Sequence, residues 1–435
     1  MDQSGRYRAA KQLRSIVMVA ALALVLFAFT GIGQNAHAAV KIGDDKTFLN
    51  ISPYVQFFYE HRDGRAPDGS ALNDFRLRRT RLWLDGQIGS PFITFAFQLG
   101  HDGFETQSAN ATTVTETASA SSDGSKARIL DANMTLGFHD AFKLTLGQQY
   151  WAMGREWNAY ANSRLLTIDY SFITQKGLPG NTTAFPKTEY DLGATAWGNP
   201  ANGFIHYRLG VYQGRSEPNP SSQLRYSGRM ELNFLDPVKE WYRMGTYLGK
   251  RKVFSIGGGF DMQNDAVGGA AGAAATNFGA VRNYRASTVD LFLDHPVGAG
   301  AVTMEAAYLS FNYNGATGAA CATSNVTTAC ATQTVGGTNT AITNNDGTGY
   351  YLQGGYLFPG TWGVGKLQGQ IQPVARYQHW DSGFIARNRS ETDFGLNYYL
   401  AGHDAKLVFN YAVIDDQTDR GTVENKFTLG VFWRL

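Results

Sequence analysis

The sequence predicts an all-β chain closed into a single transmembrane antiparallel β-barrel of about sixteen strands. Three observations carry this. Apolar and polar residues alternate with period two through most of the chain beyond residue 39. No apolar run past that point reaches the roughly 20 residues of a membrane helix, so a spanning chain must satisfy its backbone in a closed barrel. The composition suits strands and tight turns: of 435 residues 17% are charged, 13% are aromatic, 50 are Gly and 12 are Pro.

The first segment reads as an export signal. Arg6, Arg8, Lys11 and Arg14 precede an apolar stretch over 16–32, and Ala36-His37-Ala38 forms a small-x-small cleavage box. Residues 1–38 are therefore expected to be removed, leaving a barrel domain over 39–435. Cleavage takes away four basic residues and one acidic one (Asp2), so the formal +2 becomes −1. Bulk charge then points to no partner, and nucleic acid is not expected.

The elements follow in order. A first strand covers 49–61, and a polar loop leads to a strand over 75–88 (FRLRRTRLWLDGQI). Gly89-Ser90-Pro91 makes a tight turn. In 92–101, Ile93, Phe95, Phe97 and Leu99 share one face. A Ser/Thr/Ala-rich loop over 102–128 precedes a strand at 129–138. After a short turn, Phe142, Leu144 and Leu146 oppose Lys143, Thr145 and Gln149. The connection over 150–188 carries Arg155, Arg164, Lys176 and Lys187 against the acids Glu156 and Asp169. Strands then resume at 189–197, 203–212, 224–234, 253–262, 284–294, 301–313, 350–358, 367–380, 392–400, 405–414 and 425–435. The turn over 235–252 is the least regular and has room for a short helix.

The polar faces of these strands carry Lys143, His206, Arg208, Arg225, Arg229, Glu231, Asp290, Glu305, Arg376 and Asp393, among others. In a closed barrel the apolar face meets lipid and this face lines the interior. Clustered aromatics at strand ends (Phe57-Phe58-Tyr59, Tyr350-Tyr351, Tyr398-Tyr399, Phe432-Trp433) fit interface girdles. Cys321 and Cys330 are the only cysteines, and in an exported chain they are expected to staple a loop as a disulfide. Six of the eight histidines (101, 139, 206, 295, 379 and 403) show no ligand spacing, so no metal and no cofactor are expected. Gly257-Gly258-Gly259 is followed by no helix, so close packing or room for an inward segment is its expected role.

The strand over 75–88 resembles the arginine-rich second-strand motif of the phosphate-selective porin O and P family. FKLTLGQQYWAMG (142–154) resembles that family's "GQ" strand end, without the Lys-x-Pro-Phe that usually follows. GTYLGKRKVFSIGGGFDMQ (245–263) and TDFGLNYYLAGHDAKLVFNYAVIDDQ (392–417) are similar to its later strands. The final strand resembles an outer-membrane targeting strand, ending in Leu435 where Phe is usual. The resemblance implies a homotrimeric sixteen-stranded porin in the bacterial outer membrane, in contact with the lipid bilayer and lipopolysaccharide. It also implies a third external loop folded into the lumen, and arginines and lysines that guide small anions such as phosphate.

Site candidates follow from charge and face. Strand periodicity puts Arg79 and Arg81 inside if Leu82, Leu84 and Ile88 face lipid. Arg76 and Arg78 then face out near the rim, unless a bulge between Arg78 and Arg79 turns them in. Guanidinium keeps its charge and binds phosphate or carboxylate bidentately. Arg155, Arg164, Lys176 and Lys187 on the long connection, with Lys143, Arg208, Arg225, Arg229 and Arg376 on the wall, complete the candidate anion-guiding set. Two other readings compete. A barrel enzyme needs a nucleophile and base at one rim, and no Ser/His/acid set lies close in sequence, so an enzyme is not expected. A barrel partner of a periplasmic complex has no sequence signature of its own.

Overall fold

The computed structural model describes residues 40–66, 69–102, 127–156, 161–176, 190–214, 223–267, 282–312, 334–335, 338–339, 347–382, 388–416 and 423–435. Sixteen strands close into one antiparallel barrel. They are β2 (Phe48–Arg62), β3 (Leu72–Ile88), β4 (Ser90–Asp102), β5 (Arg128–His139), β6 (Phe142–Tyr150), β7 (Tyr190–Gly198), β8 (Ile205–Tyr212), β9 (Arg225–Asn233), β10 (Val253–Val267), β11 (Arg282–Val297), β12 (Gly300–Asn312), β15 (Gly347–Leu357), β16 (Gln370–Ser382), β17 (Asn388–Tyr399), β18 (Ala405–Asp416) and β19 (Val423–Arg434). Two-residue strands β13 (Thr334–Val335) and β14 (Thr338–Asn339) pair with each other within the β12–β15 connection.

Each barrel strand pairs with the next, and β19 pairs back onto β2 from Lys426↔Arg62 to Arg434↔Tyr54. Closure leaves no open edge, which a lipid environment demands. A short strand not anticipated from the sequence, β1 (Val40–Gly43), pairs with β2 from Ile51 to Phe48, just past the point where β19 stops. It continues the hydrogen bonding of β2 beyond the end of the chain.

Alternation sets the two faces. On β11, Val289 is 61% exposed while its neighbour Asp290 is 3% exposed. Leu209, Leu352 and Phe394 are exposed in the same way, while Arg208, Gln353 and Asp393 are buried beside them. Apolar outside and polar inside is the arrangement that lipid imposes on a barrel.

The interior is not uniformly polar, which departs from the sequence reading. Trp151, Met153, Phe172 and Ile173 of the β6–β7 connection pack with Tyr212, Tyr284, Ala307, Leu309, Phe311, Tyr351 and Trp380 of the wall. A second apolar group joins Ile168 to Tyr54, Phe58, Val408 and Phe432. The expected aromatic girdles are corrected accordingly. Phe58, Tyr351, Tyr399 and Phe432 are buried on the inner face, while Tyr350 and Trp433 remain outside. Adjacent residues of a strand point oppositely, so only one of each pair can meet lipid.

Two further details differ from expectation. The 235–252 stretch holds turns and bends and no helix. β16 begins at Gln370, because Gly365–Leu367 forms a 3-10 turn instead of strand.

Candidate functional site

The arginine strand is bulged. Arg79 lies opposite Gln56 and Leu77 opposite Phe57, so Arg78 is the extra residue on β3. The bulge shifts the alternation by one, as this irregularity does. Arg78, Arg79 and Arg81 are all buried on the inner face, and Arg76 reaches Glu60 there at 2.9 Å. Of the two arrangements open to the sequence, the structure has the bulged one.

The residues of the β6–β7 connection that are described pack against this inner face. Their backbone is irregular, so its carbonyls need donors away from bulk water. The wall supplies them in series. Gln56 Nε2 donates to Asn162 O at 3.1 Å, and Lys406 Nζ to Leu165 O at 3.0 Å. Asn397 Nδ2 donates to Leu166 O at 2.7 Å, and Arg376 Nη1 to Asp169 O at 2.8 Å. Helix α1 (Phe172–Lys176) closes this segment, with the Phe172 N–H donating to Gln378 Oε1 at 2.8 Å.

Acids meet the predicted cations at most positions. Asp169 accepts from Arg78 Nε at 2.6 Å and from Arg79 Nη2 at 2.8 Å, so one carboxylate answers two guanidiniums. Arg79 also donates to Gln56 and lies over the Tyr170 ring. Arg81 donates to the His101 carbonyl. Arg225 forks onto Asp261 at 2.8 and 2.6 Å and lies 3.6 Å over the Trp151 ring. Arg229 forks onto Asp290 at 2.6 and 2.8 Å and reaches Glu231 at 2.9 Å. Arg376 bonds Asp393 at 2.9 Å, and Arg155 bonds Glu231 at 3.4 Å.

The remaining candidates divide. Lys143 sits by the β5–β6 turn, pairing with Asp140 at 3.2 Å and lying over Trp197. A hydrogen bond from Lys239 holds the Asp140 carboxyl well below the usual range, against the opposing effect of burial and with help from Asn199 and Lys143. Arg164 gives its carbonyl to the Gly245 N–H at 2.9 Å. Arg208 is buried and bonds His206 Nε2 and the Trp241 carbonyl, with no carboxylate in ion-pair range among the described residues. Lys176 is the last residue of α1. Lys187, Cys321, Cys330 and the signal segment lie outside the described residues.

Sequence reasoning missed Arg243. It lies in the 234–252 connection between β9 and β10, which the sequence marks only as the least regular turn. The structure instead turns this connection against the inner face. Arg243 is buried and meets Glu231 at 3.4 Å, and the Tyr242 hydroxyl donates to Asp131 at 3.1 Å. Asp294 accepts from Thr246 Oγ1 and from the Tyr247 N–H. Two aromatics precede it (Trp241-Tyr242-Arg243), but they carry no period that would mark a face.

The triple glycine now has a reason at two positions. A Cβ on Gly257 would lie 2.3 Å from Arg229 Nη2, blocking its reach to Asp290. A Cβ on Gly259 would lie 2.1 Å from the Met153 carbonyl, where the β6–β7 connection crosses the wall. Gly259→Val is expected to lift that connection, raising single-channel conductance and lowering stability by about 1–3 kcal/mol, the usual cost of overpacking. Bilayer recording and urea unfolding in detergent measure both. Unchanged values would show that the connection is held from elsewhere.

Comparison with known proteins follows the same outline. The family described as phosphate-selective porin O and P matches residues 50–429. OmpF of Salmonella typhi is 11% identical, covering 91% of this chain and 100% of its own, with a TM-score of 0.54. OprB of Pseudomonas putida is 10% identical, covering 89% and 94%, with a TM-score of 0.53. A loop L8 deletion mutant of OmpT of Vibrio cholerae is 10% identical, covering 90% and 100%, with a TM-score of 0.51. An uncharacterized protein of Aquifex aeolicus is 31% identical over 74 residues, a match that spans 16% of each chain. At such identities the structural likeness shows the barrel fold.

Proposed function

Because the chain belongs to the phosphate-selective porin O and P family, an outer-membrane channel family, we propose that it lets small anions, phosphate and related oxyanions among them, diffuse passively across that membrane. One observation carries the reading. The bulge at Arg78 puts four arginines of one strand on the inner face of a closed barrel. Fixed guanidiniums along a narrow path lower the energy of an anion and raise that of a cation.

In this reading the β6–β7 connection lies across the lumen as its constriction. The bonds from Gln56, Arg376, Asn397 and Lys406 to its carbonyls support that position. The rim of short turns faces the periplasm, the protein works as a homotrimer, and residues 1–38 are its cleaved export signal.

The decisive measurement is the zero-current potential of the purified protein in a planar bilayer under a KCl gradient, repeated with potassium phosphate. The expected sign is that of an anion-preferring pore in both salts. A potential of the cation sign overturns the preference, and absence of conductance overturns the channel.

A further inference from the structure

One buried carboxylate fastens the β6–β7 connection to itself. Glu156 stands near its start, just after Trp151 and Met153, which pack on the wall, and Arg155, which pairs with Glu231. The side chain reaches forward to the far end of the described segment. Both carboxylate oxygens accept from the Ser171 N–H at 3.1 Å, and Oε2 also accepts from Thr174 Oγ1 at 3.1 Å. Residue 156 is thereby tied to residues 171 and 174, and the chain between them is held against the inner face.

This carboxylate is poorly compensated. Glu156 is 1% exposed, and the donors bonded to it are neutral. The cation in ion-pair range of it among the described residues is Arg376 of β16, at 4.0 Å. Other partners hold Arg376 more closely: Asp393 at 2.9 Å, Thr167 Oγ1 at 3.0 Å and the Asp169 carbonyl at 2.8 Å. Bonds run on from there to a second acid. Thr167 Oγ1 donates to Gln353 Oε1 at 3.4 Å, and Gln353 Nε2 donates to Glu305 Oε2 at 3.0 Å. Glu305 of β12 is also buried and accepts from the Tyr351 hydroxyl at 2.8 Å. β17 contributes Glu391 beside Asp393, paired with Arg389 at 2.8 Å and drawn on by the charge of Lys426.

Burial pushes the Glu156 carboxyl up from its ordinary 4.5 to about 7; Glu305 adds to the rise, and Arg376 opposes it without cancelling it. Protonation costs the segment no bond. A neutral carboxyl still accepts from the Ser171 N–H through its carbonyl oxygen. Its O–H donates to Thr174 Oγ1, whose own proton turns to the Ser171 carbonyl, 2.8 Å away. The contacts stay, and the buried charge goes.

We propose that Glu156 is a proton-operated latch: neutral, it seats the β6–β7 connection on the inner face, and ionised, it loosens that connection and widens the channel. The latch rests on the reading of this connection as the constriction, and is independent of which ion the channel prefers. A carboxyl raised in the seated state binds its proton more tightly there than in a lifted one. Seating is therefore strongest below 4.5, weakens as pH rises from about 4.5 to about 7, and changes no further above that. Over this window the ratio of seated to lifted connection is expected to fall about a hundredfold.

The test is single-channel conductance of the whole protein in planar bilayers, in symmetric KCl, from about pH 4.5 to about pH 8. The parent is expected to pass from a small, quiet conductance to a larger, noisier one as pH rises. Glu156→Gln copies the neutral carboxyl, accepting from Ser171 and donating to Thr174, and is expected to hold the small conductance throughout. Glu305→Gln removes the neighbouring negative charge, so its transition is expected at lower pH than the parent's. Amide hydrogen exchange of the parent in detergent, corrected for the intrinsic effect of pH, reads the latch without a variant. Protection over 161–176 is expected to be higher at about pH 5 than at about pH 8. Should Glu156→Gln fail to assemble, exchange on the parent alone decides. Protection equal at the two pH values, or a Glu156→Gln variant that titrates like the parent, overturns the latch. Protection that changes while conductance does not overturns instead the reading of the connection as the constriction, and absence of conductance at every pH overturns the channel.

Discussion

Asp169→Asn is expected to raise the anion-to-cation permeability ratio about tenfold. One carboxylate neutralises two arginines of the bulged strand, through contacts of 2.6 Å to Arg78 Nε and 2.8 Å to Arg79 Nη2. The amide keeps the shape and accepts one of those bonds, but it removes a unit of negative charge. At about 6 Å from a passing ion, and with an effective dielectric of about 80, a unit charge is worth about 0.7 kcal/mol, of opposite sign for an anion and a cation, so their ratio shifts by about 1.4 kcal/mol, which is tenfold. The connection itself should stay seated, because Asn162, Leu165 and Leu166 keep their bonds to Gln56, Lys406 and Asn397. The zero-current potential in a KCl gradient measures the change. A value equal to the parent's would mean that Arg78 and Arg79 face no permeant ion.

Glu231→Gln is expected to be the most damaging single change in the wall. Three guanidiniums converge on this carboxylate: Arg229 at 2.9 Å, and Arg155 and Arg243 at 3.4 Å. Two of them come from different connections, so the residue clamps both to β9. Removing one partner of a buried ionic group costs about 3–5 kcal/mol, because the charges left behind are buried and unpaired. Urea unfolding in detergent should show a loss of that order, and channel recordings should show larger, noisier openings as the connections loosen. A variant as stable as the parent would mean that the cluster draws its balancing charge from ions in solution.

Much of the architecture was legible in the sequence. The sixteen strands appear where period two places them, and the connection over 150–188 is the third long one. The bulge was half legible. Four arginines within six residues demanded either two outward charges or one extra residue, and the sequence offered both. Pairing decided it, because Gln56 sits opposite Arg79 and Asp169 draws Arg78 and Arg79 to the same side.

The paired aromatics show the same boundary from the other side. Phe57-Phe58 and Tyr350-Tyr351 were visible as clusters, but which member meets lipid depends on a face that only the closed barrel defines. Arg243 was not legible as a site residue at all. Its connection has no period, and nothing local says whether an irregular turn points to water or to the wall.

The sequence by itself determined the strands, their number and which face is apolar, because the two-residue repeat is local stereochemistry acting against two different surroundings. Only the tertiary structure decided which charges remain. Arg78 and Asp169 are 91 residues apart, and Thr167 lies 209 residues from the Arg376 it contacts. Such partners meet only once the barrel has closed and the connections have packed against its inner face. Whether an arginine meets an acid or only neutral acceptors is settled by that long-range packing, as the contrast between Arg79 and Arg208 shows.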